Sequence, residues 1–302
     1  MTYKFPGAKI APYPIGAQRF DPDRHLRTDS LQCTDSPYLG FSYWLRSRNA
    51  GSLVPIWESD PLGEALTYTY SDAGILQIAL GSGAVDGNFS VNSDEPLSQN
   101  VWHHILGAFK VDVEPMIAVI YVDGERAAFT VEYECDLITA APINGLPFHI
   151  GGNDTHPPDM DLADFWMTFD QNLLVDDDIP EATRRKFTDA DGWPVYLGEN
   201  GELPTGTPPT LFFHREAGST STPGFNENRG TGGPMGATSA WPLLALSSPT
   251  DPAAPFENPM YAPKDLIIGG PNGAPLRLAG PSSVGTFTLK CVNGVFTWVA
   301  DT

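Results

Sequence analysis

Three aspartates crowd one short run, Asp159-Met160-Asp161-Leu162-Ala163-Asp164. Two carboxyl groups on one face can cleave a glycosidic bond, one as nucleophile and the other as acid. The retaining version of that chemistry needs them about 5–5.5 Å apart. On an extended strand Asp159 and Asp161 share a face, whereas Asp164 takes the opposite one unless a bulge intervenes. The plainer alternative is a strand without chemistry, and no catalytic residue is expected here. Just upstream, Asn153, Asp154, His156 and Asp159 lie in one polar stretch. Asn153, Asp154 and Asp159 offer the hard oxygen ligands that Ca2+ takes. Asp154–Glu181 contains nine acidic residues and no basic one, so a merely solvated acidic loop is the competing reading.

The other candidate groups are more scattered. His103 and His104 are adjacent, so on a strand they face opposite ways and cannot easily share a metal. One of them is expected to pack or hydrogen-bond internally. His149, His156 and His214 show no HxH or HExxH spacing, so no zinc site is expected. Gly230-Thr231-Gly232-Gly233 has no following Lys and no βαβ context, which reads as a turn rather than a phosphate loop. No G-x-S-x-G elbow is present. Most of the tryptophans belong in a core or an interface. Trp193, in the run DADGWP, is expected in an exposed loop, where it and His156 are the candidates to meet a glycan.

The elements that would position these groups are strands. Leu39–Leu45 alternates Leu39, Phe41, Tyr43 and Leu45 against Ser42 and Trp44. Trp102–Val111 alternates likewise, and Met116–Val122 is nearly all apolar, as a strand covered on both faces would be. Asp123-Gly124 and Asn293-Gly294 are strong two-residue hairpin signals, because both central positions of that turn want positive φ. Further short strands are expected at Ser52–Glu58, Ala65–Tyr70, Ile75–Leu80, Asn88–Asn92, Phe148–Gly151, Leu162–Phe169 and Leu211–His214. One short helix is expected over Asp178–Phe187, with Asp178 able to cap it and Pro180 in its first turn. About a dozen strands and one helix predict two antiparallel sheets packed face to face.

Composition bounds the rest. The chain carries 17 basic and 37 acidic residues, a formal net charge of −20. Such a surface repels phosphate backbones and argues against nucleic acid as a partner. Cys33, Cys135 and Cys291 are odd in number and widely spaced, which suggests neither a disulfide framework nor a zinc motif. The first residues lack the apolar core of a secretion signal, and no run reaches the length of a membrane span. Pro6, Pro12, Pro14 and Pro22 make residues 1–25 read as an extended arm. Residues 26–246 read as the sandwich, and 247–302 as a proline-rich linker with a closing hairpin.

Three stretches carry a resemblance. Trp102-His103-His104 leads to Ile120-Tyr121-Val122-Asp123-Gly124. Phe148-His149-Ile150-Gly151-Gly152 and Leu162-Ala163-Asp164-Phe165-Trp166-Met167 follow, with Leu173-Leu174 after them. Together they resemble the laminin-G-like branch of the concanavalin A-like jelly rolls. The resemblance implies an all-β, concanavalin A-like antiparallel sandwich, often with one Ca2+ on its rim. Glucanases of that fold carry E-x-D-x-x-E, whereas this chain has three Asp, a shorter reach. A narrower likeness covers Glu181–Thr250. There RRKFTDADGWPVYLGENGELPTGTPP and NRGTGG resemble the C-terminal part of laminin-G-like proteins of tailed phages. That implies a virion protein, a capsid decoration or a tail component, which reaches the exterior by lysis rather than by a signal peptide. Its partners would be other virion subunits, gripped through the terminal arms in a homo-oligomer, and a host-surface glycan.

Overall fold

A computed structural model describes residues 13–21, 24–48, 56–59, 67–72, 75–82, 87–133, 140, 143–152, 159–217, 227–237, 241–245 and 247–250, together with four C-terminal strands. Strands are numbered in chain order. One sheet runs β10 (Glu125–Arg126), β9 (Ile117–Val122), β8 (His103–Lys110), β3 (Tyr38–Ser47), β13 (Met160–Thr168), β1 (Gln18–Phe20) and β16 (Leu243–Leu244), with β14 (Leu211–Phe213) also paired to β13. The second runs β11 (Phe129–Tyr133), β7 (Gly87–Ser93), β6 (Ile75–Ser82), β5 (Thr67–Asp72), β4 (Trp57–Ser59), β12 (Phe148–Ile150), β2 (Leu26–Thr28) and β15 (Gly236–Ala237). The C-terminal strands form two hairpins, β17 (Asp265–Gly269) with β18 (Pro275–Ala279) and β19 (Phe287–Val292) with β20 (Val295–Ala300). The second hairpin is the one read from the sequence; the first falls where a linker was expected.

The alternation that marked the strands also builds the core. Leu39, Phe41, Tyr43 and Leu45 of β3 share one cluster with Ile105 and Phe109 of β8 and with Phe165 and Met167 of β13. Trp57, Ile78, Val91, Phe148 and Ile150 of the second sheet complete it. Phe41 meets Trp57 across the gap at 5.7 Å between ring centroids. The Phe41 ring lies over its cross-strand partner Gly107, where a Cβ would sit 2.2 Å from it, so that position must lack a side chain. Expelling water from these facing layers is the main stabilising term.

The first sheet is covered on its outer face too. Leu106, Ala108, Val119, Tyr121, Trp166 and Phe212 point away from the sandwich and are buried under Leu173, Leu174, Ile179, Phe187 and Leu197. This explains the unbroken apolar run in β9. The covering segment contains the single helix among the described residues, α1 (Glu181–Arg184), shorter than expected. Pro180 stands at its N-cap with no side-chain cap. Asp178 is engaged elsewhere, accepting from the Tyr121 hydroxyl at 2.8 Å and from its neighbour Ile179 N–H at 2.9 Å. Trp166 Nε1–H donates to Gly201 O at 2.8 Å, and Arg184 stacks 4.2 Å from the Tyr121 ring centroid.

Gln18–Phe20 corrects the expectation of an arm throughout residues 1–25. It is an internal strand, paired with β13 on one side and β16 on the other. Proline pushed the sequence reading toward an extended arm laid on the domain or on a neighbour, but the three residues that pair contain none. The opposite end of the sandwich segment returns beside it: Ile15 N–H donates to Thr250 Oγ1 at 3.2 Å, and Thr250 Oγ1 donates to Ile15 O at 3.1 Å. No helix among the described residues is long and apolar enough to cross a membrane.

Candidate functional site

One backbone irregularity sets where Asp164 stands relative to Asp161. Between Ala163 and Trp166 the register of β13 against β3 shifts, and Asp164 adopts φ 43°. The extra residue is a bulge, and it turns Asp164 to the outer face that Asp161 already occupies. The face that geometry offers for paired-carboxylate chemistry is, however, filled by other groups. Asp161 is 0% exposed. It accepts from Arg46 Nε at 2.8 Å and again from the same guanidinium, and lies 3.5 Å from Arg19 Nε and 3.9 Å from Arg48 Nε. Asp159 is held by Arg48 at 2.6 Å, and that guanidinium also holds Asp21 at 2.6 Å. Asp164, 3% exposed, accepts from His214 Nδ1–H at 2.6 Å.

That last bond extends into a relay. With Nδ1 donating, His214 Nε2 accepts from the Tyr13 hydroxyl at 3.0 Å. Burial, reinforced by the nearby Asp164 charge, raises the Tyr13 hydroxyl well above its ordinary value. The phenol therefore stays protonated, and its proton serves the hydrogen bond rather than leaving a nucleophile. The line Asp164–His214–Tyr13 pins the chain just before β1 onto the outer face.

The two adjacent histidines face opposite ways, as expected. His103 is partly exposed, with Nδ1–H donating to Asp123 Oδ2 at 2.7 Å. His104 is buried; its Nε2 lies 2.9 Å from Ser42 Oγ. Burial lowers its pKa from 6.5 to about 4, so the ring is neutral at pH 7. Asp123 also accepts from the His104 backbone N–H at 2.8 Å through its other oxygen. One carboxylate at φ 52° thus latches the start of β8 to the end of β9. The W-H-H … Y-V-D-G pattern is legible as this latch.

Beside the latch the outer face opens into a cleft of about 390 Å³. Trp44, Trp102 and His104 border it from the sheet, Asp123 and Glu125 from the hairpin turn, and Arg185, Asp191 and their neighbours from the covering segment. Pro249 contributes another wall. Trp102 Nε1–H donates to Ser247 Oγ at 3.2 Å, and Arg46 stacks 5.5 Å from the Trp102 ring centroid, which fixes that wall. The opposite rim is equally braced. The backbone N–H groups of Asp191 and Trp193 both donate to Asp189 Oδ1 at 2.9 Å. Gly192, at φ 83°, supplies the reversal that closes the loop. Sequence reasoning did not single out this cleft, because its walls come from five stretches far apart in the chain.

The sequence-predicted site residues fare unevenly. Trp193 is a correction: it is 4% exposed, with no open face for a sugar. The Asp189 turn carries the chain back on itself, so the ring enters the molecule rather than leaving it. Asn153, Asp154 and His156 lie outside the described residues. Asp159, the remaining candidate for Ca2+, is occupied by Arg48. Among the described residues no cluster of three or more His, Cys, Asp or Glu could hold a metal.

Residues 22–164 match a laminin G family, described as the Concanavalin A-like lectin/glucanases superfamily. Together with the two packed antiparallel sheets, that makes the fold a concanavalin A-like, laminin-G-like jelly roll of the lectin type. A search of curated proteins gives no match. Among solved structures, the chain is similar to a heptameric SAP-like pentraxin from Limulus polyphemus at 13% identity, covering 52% of this chain and 77% of that one, with a TM-score of 0.39. It is also similar to domains LG4-5 of the mouse laminin alpha1 chain at 16% identity, covering 57% and 46%, with a TM-score of 0.40. A third is from work on botulinum neurotoxin type C, whose cell entry depends on interaction with two ganglioside molecules. It has 14% identity, coverage of 45% and 33%, and a TM-score of 0.33. The chain spans less than half the length of the laminin and neurotoxin chains.

Proposed function

We propose that this chain is a glycan-binding jelly roll displayed on a tailed-phage particle, which holds host-surface sugar without cleaving it. Binding rather than hydrolysis is favoured by one observation: each aspartate of the suspect strand is already neutralised or hydrogen-bonded. Asp161 is buried against Arg46, Asp159 is paired with Arg48, and Asp164 is bonded to His214. A retaining pair needs one carboxylate free to attack and another free to donate a proton. These three have neither freedom.

The virion setting is supported by the likeness of Glu181–Thr250 to phage proteins, and that stretch supplies Phe187 and Leu197 of the layer covering the outer sheet face and one rim of the cleft. Attachment to neighbouring subunits, in a homo-oligomer, is assigned to the terminal segments; residues 1–12 and 251–264 lie outside the described residues. Quantitative mass analysis of purified particles tests this. Hundreds of copies per particle would place the chain as a decoration of the head, and about a dozen as a tail component. Absence from washed particles overturns the virion reading. A reducing-end assay on host-surface polysaccharide tests the other half, and release of sugar above background overturns binding without cleavage.

A further inference from the structure

We propose that the outer-face cleft bordered by His104, Glu125, Arg185 and Asp191 is the sugar site, and that it takes an uncharged or amino sugar in preference to an acidic one. This rests on the reading of the domain as a glycan binder. The space, about 390 Å³, lies in the range of small-ligand sites. Its walls are stiff: one is a sheet, another the Trp102–Ser247 contact, and the third the turn closed by Asp189. A preorganised wall costs a ligand little ordering free energy on binding.

The polar groups in the cleft decide the ligand class. His104 is 2% exposed and borders the cleft. Its Nε2 lies 2.9 Å from Ser42 Oγ. Burial keeps that ring neutral, which suits a hydroxyl and gives an anion nothing to pair with. The exposed Glu125 carboxylate also has no partner among the described residues, so it is available to accept from a hydroxyl or an ammonium.

Arg185, the one cation among the described residues that line the cleft, is already engaged. Arg185 Nε and one terminal nitrogen lie 3.3 Å from Glu181 Oε1, and the other terminal nitrogen donates to Asp189 O at 2.7 Å. Asp123, Glu125 and Asp191 outnumber it. An acidic sugar would enter against like charge, on a chain whose net charge is −20.

The test measures binding of the full chain to a panel of neutral, amino-bearing and uronic- or sialic-acid-bearing oligosaccharides. Wild type is set beside Glu125→Ala, Glu125→Gln and Ala190→Trp. Glu125 and Ala190 are exposed, and the tryptophan fills the cleft without removing a contact. Melting curves identify any variant that fails to fold, and the remaining variants then carry the comparison. Neutral or amino sugars should bind, acidic ones about tenfold or more weaker. Glu125→Ala and Ala190→Trp should each weaken binding about tenfold or more at unchanged melting temperature, the loss expected for a hydrogen bond to a charged group. Folded variants that bind like wild type would overturn the site and leave the glycan reading standing. Preference for acidic sugars would overturn the ligand class. A wild-type chain that binds no glycan at all would overturn the glycan reading, and the site with it.

Discussion

His104 is where chemistry and stability meet most sharply. Its imidazole stays neutral in the folded chain down to about pH 4, whereas an unfolded histidine takes a proton near 6.5. Between those values the unfolded state binds more protons, so stability falls as pH falls through that window. The loss is on the order of 3 kcal/mol by pH 4. Urea midpoints at pH 7 and pH 4.5 should differ accordingly, and His104→Gln should flatten the difference. A second residue-scale expectation concerns Asp161. Replacing it with Ala strands Arg46 against a sheet that no longer neutralises it, and should cost about 3 kcal/mol in unfolding free energy. Were Asp161 a catalytic carboxylate, the same change would remove activity with little loss of stability. Gly107→Ala is a packing test: the added methyl meets the Phe41 ring, and a cost of about 1–3 kcal/mol is expected from the thermal midpoint.

At the scale of elements, the β8–β9 pair shows what the sequence could and could not say. The alternation of Trp102–Val111 and the Asp123-Gly124 turn placed both strands within a residue or two, because a half-buried strand and a left-handed turn leave local signatures. The all-apolar β9 announced that both faces were covered. What covers the outer face was not legible: Leu173, Leu174, Ile179, Phe187 and Leu197 sit in a segment with almost no regular structure and hence no period. The bulge at Asp164 was named as a condition, yet nothing local in Leu-Ala-Asp-Phe demands it. Its partner His214 lies 50 residues away. Trp193 failed for a related reason, since polar neighbours suggested exposure while the Asp189 turn sent the ring inward. The latch offers a direct element-scale test. Asp123→Ala removes the acceptor for His103 and for the His104 N–H, and should cost about 1–3 kcal/mol. Amide exchange should quicken at the turn end of β8 and β9 first, with the far ends protected as before.

For the whole molecule, the sandwich is built as a two-sided slab whose outer side is unusual in being built over. Tyr13 and Ile15 ahead of the N-terminal strand, the segment from Leu173 to Leu197 and the stretch at Ser247–Thr250 all settle on the same face. Between them they leave the cleft open, while Asp161 and Asp164 stay buried beneath them. The measurement that bears most directly on this reading is incubation of the purified full chain with host-surface polysaccharide, following bound sugar and released reducing ends in the same sample. Saturable binding with no release above background is the predicted result; release of reducing ends, or no binding at any concentration, would contradict it.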